Sequence, residues 1–368
     1  DLEALVVGTQ SRSVKPAQAQ ETTARVYRYV ATLEPERVQF KFCSTFDSTK
    51  EGNIGQGLDA AHGVFGFESA FVVPALPVNG RTTYMGHHFV HGQLLSESSL
   101  RSHPVNPMTD ANLVRWLGYQ TEERVGLLSL AELLDGDQTI HERRSTLEHE
   151  GTRYIIADAV IQQHIDDLVG AFPDEFFWSG SSGVTLSLAR IASSGSPVVP
   201  PPSGLGSRTL VISGSMSVQS GRQLEAARAS GFTMVPLGVA TLAAAGWSPE
   251  QTVVSVEAGY ASRNKVAVYL ERTEPDRAPR VKPEVLNARM GELSALILKR
   301  CDPARIIVAG GETSGAVCRA CGFDAFVVGT QISPGVPLCF PTNYPEKVVV
   351  LKSGNFGALD LYEQIALL

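Results

Sequence analysis

Short runs of apolar, mostly β-branched residues recur along this chain, and the segments between them carry apolar residues at helical spacing. In the first half such runs occur at 4–7 (ALVV), 38–42, 70–73, 154–157 and 176–178. Helical patterns lie between them, for instance at 140–149, where charged residues cover one face, and at 161–171. An unbroken apolar run of four or five residues reads as a strand buried on both faces. Strands that alternate with helices predict an α/β domain with a mostly parallel sheet. The segment 80–110 breaks this rhythm. It is rich in His, Ser and Pro with little periodicity, and it reads as a long functional loop.

At 193–207 the sequence SSGSPVVPPPSGLGS forbids helix with three consecutive prolines and reads as a stiff linker. The expected domains are therefore 1–195 and 209–368, joined by 196–208. The second half restarts the α/β pattern, with strands expected at 209–212, 252–256, 265–270, 306–308 and 348–350. Helices are expected at 218–230, stopped by Gly231, and at 283–300, opened by Pro283 in its first turn. Each domain should thus hold a largely parallel sheet flanked by helices.

Bulk properties narrow the function. A chain of 368 residues is too long for one ordinary core. A net charge of -7 argues against a nucleic-acid partner, which calls for a basic face. No apolar run approaches the roughly 18–20 residues that span a bilayer. Five scattered cysteines, an odd number, make a disulfide framework improbable and fit a reducing, cytoplasmic compartment. The chain opens without Met and runs at once into 4–7, so an earlier segment is expected, and a removed targeting peptide stays open.

Candidate chemistry concentrates where apolar runs break into small residues. In the second domain three strand-to-helix turns follow such runs: SGSMS (213–217), GGETSG (310–315) and KSGNFG (352–357). Glycine turns that open helices point free amides and a helix dipole at an anion, so three of them in one sheet predict a phosphate site. The candidates are Ser213, Ser215, Gly310, Gly311, Glu312, Thr313, Ser314 and Gly354, with Lys352 as a point charge. Helix capping by the serines is the plainer alternative. Neither GxGxxG nor GxxxxGK[ST] occurs, which argues against a nicotinamide-dependent oxidoreductase and a standard P-loop.

In the first domain KFCSTFDSTKEGNIG (41–55) is dense in polar groups just after a strand. Lys41, Asp47, Ser48, Thr49 and Asn53 suit a small hydroxylated anion, and a Ser/Asp turn that caps a helix is the alternative. Asp47 also suits proton acceptance. Arg12 suits a carboxylate, which a guanidinium matches with two parallel bonds. His87, His88 and His91 do not amount to a metal site, since no paired Cys or Glu stands at a ligand spacing. Cys318 and Cys321 form a lone CxxC, read as buried small residues.

GGETSGAV, QISPGVP (331–337) and LKSGNFG (351–357), together with FKFCSTFDSTKEGNIG, PALPVNGRTTYMGHHFV and LLSESSLRSHPVNPMTDANL, resemble the signatures of the four-carbon acid sugar kinase family. CSTFDST and HPVNPMTD are most similar to its branch that acts on 3-oxo-tetronates. The resemblance implies a sugar-acid-binding N-terminal domain and an ATP-binding C-terminal domain. It also implies ATP- and Mg²⁺-dependent phosphorylation of the C4 hydroxyl, most simply of 3-dehydroerythronate, with D-threonate or D-erythronate as the alternative acid. In that picture Arg12 grips the carboxylate, while Lys41, Asp47, Ser48, Thr49 and Asn53 hold the hydroxyls. Asp47 is the fallback for the base, and the linker lets the domains close over the reactants. The family also opens with a strand and an Asp-Asp turn that has no counterpart here, so the base itself is expected in a preceding segment if one exists. A non-catalytic nucleotide or sugar-acid sensor is the other reading. A homodimer is a further expectation.

Overall fold

In the computed structural model, which describes residues 4–102, 106–192, 199–271 and 281–368, the β-branched runs line up side by side. The chain divides into two units, 1–195 and 196–368. The strands of the first are β1 (Val38–Lys41), β2 (Ala70–Val73), β3 (Arg81–Tyr84), β4 (His87–Val90), β5 (Gln93–Leu94), β6 (Arg124–Leu128), β7 (Thr152–Ala157) and β8 (Phe177–Gly180). Five of them form a sheet in the order β1-β8-β2-β7-β6, with every neighbouring pair parallel. Successive residues point to opposite faces, and both faces are covered. Val72, Tyr154 and Ile156 enter one core, while Phe71, Val73, Ile155 and Ala157 enter the other.

Three expectations fail in this unit or beside it. The run 4–7 makes no strand, and Val6 is 94% exposed. An apolar run becomes a strand only where a sheet edge accepts it. The segment 80–110 is not a plain loop, because β3, β4 and β5 form a small antiparallel sheet. Its two turns place Met85–Gly86 and His91–Gly92 at positive φ, the geometry of tight two-residue hairpins. Strand β6 has no counterpart among the expected runs. Residues 1–3, 103–105 of the expected loop and 193–198 of the expected linker lie outside the described residues. Residues 199–207 carry neither helix nor strand.

The second unit holds β9 (Thr209–Ser213), β10 (Thr233–Leu237), β11 (Lys265–Leu270), β12 (Arg305–Ala309), β13 (Phe326–Ser333), β14 (Val336–Pro341) and β15 (Val348–Lys352). Their order is β10-β11-β9-β12-β15-β14-β13, parallel from β10 to β15 and antiparallel at β14 and β13. Leu210, Ile212, Ile306 and Val308 face one core, and Val211, Ile307, Val348 and Val350 face the other. The strand expected at 252–256 is instead part of the helix Glu250–Ser262. Val253, Val256 and Tyr260 are buried at helical spacing while Val254 is half exposed, so the choice of buried face outweighs the β-branched propensity. Among the described residues no helix is long and apolar enough to cross a membrane.

Candidate functional site

Strands β9, β12 and β15 are adjacent, so the turns that leave their carboxyl ends meet. Main-chain bonds stitch them together: Gly214 N–H donates to the Ala309 carbonyl (3.1 Å) and Gly310 N–H to the Lys352 carbonyl (2.9 Å). The fit leaves no room for side chains. A Cβ on Gly214 would stand 2.1 Å from Thr313 Oγ1, and one on Gly354 would stand 2.2 Å from Ser215 Oγ. Gly310, at φ +123, turns the chain into the helix Gly311–Cys321. The first ladder bond of that helix runs from Ser314 N–H to the Gly310 carbonyl (2.8 Å), so the amides of Gly311, Glu312 and Thr313 precede the ladder. Gly311 and Glu312 are exposed. A helix dipole and free amides of this kind suit the turn to an anion.

The side chains around this turn divide into braces and open groups. Asn287, which the sequence did not single out, donates from Nδ2 to Glu312 Oε2 (3.1 Å) and accepts from Thr313 Oγ1 (2.8 Å). It fixes the first turn of that helix from the neighbouring helix Pro283–Cys301. Ser217 caps the helix Val218–Ala229 and donates to the Gly354 carbonyl (2.7 Å), as does Ser220 (2.9 Å). Lys352 is buried, and its ammonium donates to the same carbonyl (3.2 Å) and to Ser220 Oγ (3.4 Å). Burial pushes its pKa down to about 8. This revises the expectation of a lysine set beside a phosphate, since Lys352 braces the 354 turn from within. Ser213 is buried beside the Tyr362 hydroxyl, and Ser314 is buried too. Ser215 is half-buried in its turn and accepts from Ser217 N–H (3.3 Å).

In the first unit the loop after β1 gathers most of the expected residues, yet several are engaged internally. Ser48 is fully buried. Its hydroxyl donates to the Phe46 carbonyl and accepts from Trp116 Nε1 and Gln120 Nε2. Thr49 Oγ1 donates to the Gly52 carbonyl (3.2 Å). Asn53 Nδ2 reaches the carbonyls of Ser11, Arg12 and Val14, which ties residues 11–14 to this loop. Ser48 is therefore spent on shaping the loop rather than facing a ligand as expected, while Thr49 and Asn53 are engaged there through one group each. Arg12 and Asp47 find each other, Nη1 to Oδ2 at 3.2 Å. Asp47 is only 8% exposed, and its second oxygen, Oδ1, has no partner among the described residues. Lys41 is exposed at the end of β1, opposite Gly180.

The hairpin that replaces the expected loop brings further chemistry to this edge. Its first turn is held by Asp158, buried at the end of β7, whose carboxylate accepts from Met85, Gly86 and Leu130 N–H. Leu76 and Arg81 exchange main-chain bonds, so Arg81 sits beside the chain leaving β2. Arg81 is buried. Its Nη1 meets the Asn79 carbonyl and His91 Nε2, and its Nε has no partner among the described residues. The clue in the sequence was an arginine inside a strand-like run, GRTTY.

His88 joins the hairpin to the loop. Nε2 donates to the Ser44 carbonyl (2.7 Å), which makes Nδ1 the acceptor for Thr83 Oγ1 (3.1 Å). Both ring nitrogens are spent, and burial lowers its pKa to about 4. The unfolded chain therefore takes up a proton near pH 6.5 that the folded chain refuses until about 4. His88 thus contributes stability that is complete above pH 6.5 and is lost as pH falls toward 4, roughly 3 kcal/mol at the limit. Melting followed from pH 6.5 to 5 should show this slope, and His88→Gln, which keeps a donor for Ser44, should flatten it. An equal slope in both proteins would refute the assignment. His87 Nδ1 meets the Met85 carbonyl (2.8 Å). No group of three or more His, Cys, Asp or Glu is placed to hold a metal ion among the described residues. The Cys318 and Cys321 thiols are pushed up by burial, Cys321 to about 12, which leaves little thiolate for reaction.

Comparison with known proteins divides the chain as the two sheets do. Residues 1–188 match the model of a sugar-binding N-terminal domain, and residues 210–361 that of a nucleotide-binding C-terminal domain. A Pectobacterium atrosepticum protein named 3-oxo-tetronate kinase is 34% identical over 98% of this chain and 88% of its own length. The crystal structure of a Haemophilus influenzae protein of the DUF1537 family is 33% identical with a TM-score of 0.72, covering 97% of this chain and 88% of that one. A Salmonella typhimurium LT2 structure, whose description proposes a tRNA synthase, is 31% identical with a TM-score of 0.80 over 96% of this chain and 86% of that one.

Proposed function

This chain belongs to the four-carbon acid sugar kinase family, and on that premise we propose that it transfers the γ-phosphoryl group of ATP to the C4 hydroxyl of 3-oxo-tetronate. The observation that carries the nucleotide half is the junction of three glycine turns at the ends of β9, β12 and β15. The amides of Gly311, Glu312 and Thr313 take phosphate oxygens, with the Ser215 hydroxyl beside them. With ATP bound as its Mg²⁺ complex, the metal would supply charge neutralisation on the phosphates, and Glu312 would be the residue to face it. Glu312 is the carboxylate in that turn, and Asn287 already orients it. Phosphoryl transfer asks mainly for positioning and charge neutralisation, which a rigid amide cradle supplies.

The acceptor half rests on the loop after β1. Asp47, oriented by Arg12, takes the proton of the C4 hydroxyl on its free oxygen as that hydroxyl attacks the γ-phosphorus and ADP leaves. Lys41, exposed at the end of β1, adds positive charge for the acid. Preference for the 3-oxo acid over D-threonate and D-erythronate follows the shared name of the relatives. A coupled assay for ADP release tests the reading. Turnover should require a four-carbon acid and should be fastest with 3-oxo-tetronate. Absence of ADP with all three acids would reject the kinase. Faster turnover of D-threonate or D-erythronate would reject only the choice of acid.

A further inference from the structure

We infer that Arg81 is the residue that holds the carboxylate of the sugar acid, an inference that rests on the kinase reading and names the grip of its acceptor half. Arg81 is 6% exposed, and the two contacts of its guanidinium, the Asn79 carbonyl and His91 Nε2, are uncharged. Its Nε is buried and has no partner among the described residues. An arginine cannot shed its charge in a protein, so a buried guanidinium without an anion is a costly arrangement that a bound carboxylate relieves. The contrast with Arg144 is direct, since that half-buried arginine sits between Glu148 and Glu175.

Burial alone would not carry the assignment. Arg305 is equally buried and also lacks a carboxylate, but it opens β12 at the amino edge of the other sheet, where α/β proteins do not place ligands. Arg81 lies at the carboxyl edge of the sugar-binding sheet, beside the chain leaving β2. The loop that bears Asp47 is bonded to the same hairpin through His88 and the Ser44 carbonyl, and Cys43 of that loop lies close enough to act on the guanidinium. This edge therefore holds a buried donor, Arg81 Nε, and a buried acceptor, Asp47 Oδ1, and both lack partners among the described residues. The two do not satisfy each other. A short molecule with a carboxylate at one end and a hydroxyl at the other completes both, which is the chemistry of a sugar acid. Arg12, the arginine first suited to this task from sequence, is already paired with Asp47 and is 62% exposed.

The test uses the full chain, Arg81→Lys and Arg81→Gln, with steady-state kinetics on the acid and on ATP. Arg81→Lys keeps the charge but loses the Nε donor and the planar fork. It should raise KM for the acid about tenfold to hundredfold, the size of a lost charge-assisted bond, and leave KM for ATP unchanged. Arg81→Gln should raise it further. Calorimetry with D-erythronate and with erythritol, which lacks the carboxylate, supplies a readout that does not depend on turnover. The unaltered protein should favour the acid, and the variants should lose that preference. An unchanged KM and preference in Arg81→Lys would overturn the inference and leave the kinase reading intact. Acid binding that needs Arg81 but yields no ADP would do the reverse. Should both variants fail to fold, a crystal of the unaltered protein with D-erythronate decides. A carboxylate about 3 Å from Arg81 Nε supports the inference, and one bound elsewhere overturns it.

Discussion

Gly214→Ala should raise KM for ATP and lower kcat, together costing about a hundredfold in kcat/KM for the nucleotide. The cause is steric. The added methyl would stand 2.1 Å from Thr313 Oγ1 and 3.0 Å from both Thr313 Cβ and Cγ2. A branched side chain with its Cβ in the contact cannot swing clear, and its hydroxyl is already bonded to Asn287. Relief must therefore come from moving the first turn of the helix Gly311–Cys321 away from the 213–217 turn. Those are the amides proposed to hold the triphosphate, and a displacement near 1 Å at a positioned reactant costs on the order of a hundredfold. Overpacking of this kind also destabilises by about 1–3 kcal/mol, so melting should fall by several degrees while the protein still folds. Gly354→Ala is the milder comparison, because the nearest atom is the Ser215 hydroxyl, the end of a short side chain that can rotate. Kinetics with ATP varied separate the cases. A folded Gly214→Ala protein with the parent's KM and kcat would remove the three-turn junction from the nucleotide site.

That junction was legible in sequence as three separate turns, because β-branched runs that end in glycine and serine announce a strand, a break and a helix start. Their contact was not legible. It depends on β9, β12 and β15 being neighbours, and strand order is set by long-range pairing. The buried parallel strands were visible for a simple reason, namely that an apolar run such as 70–73 or 265–270 has no polar face to disguise it. The run at 252–256 misled because a helix buried on one side can contain the same residues, and only the burial of Val253, Val256 and Tyr260 tells the two apart. The small sheet at 81–94 announced itself in YMGH and VHGQ, two turns each with a glycine, but the density of His and Ser masked the alternation. Polar residues were the least readable. Ser48 and Asn53 have the composition of ligand contacts, yet their partners are Trp116, Gln120 and the carbonyls of residues 11–14, none of which local sequence reveals. Arg81 escaped notice for the opposite reason, since its significance lies in the partner it lacks.

Asp47→Asn should reduce kcat by about 10²- to 10⁴-fold, the range of a lost general base, with KM for ATP within about twofold of the parent. Two features of the carboxylate support so large an effect. Its Oδ2 is held by Arg12, which sets its orientation, and its Oδ1 is buried and free to accept a proton. Asparagine preserves the shape and one carbonyl oxygen for Arg12 but removes the basic site. Stability should barely change. The Arg12 side chain is 62% exposed, and ion pairs of that kind contribute about 0–1 kcal/mol. The substitution thus separates two roles that a larger truncation would confuse. If Asp47 only ties residues 11–14 to the loop, Asp47→Asn would keep its kcat, since Asn53 shares that task. If Asp47 is the base, melting stays level, D-erythronate still binds and kcat collapses. Arg12→Ala supplies the intermediate case, with kcat lowered by loss of orientation while the base remains. Retention of kcat within about threefold in a folded Asp47→Asn protein would move proton acceptance to another group and leave the unpaired oxygen as a contact for the substrate hydroxyls alone.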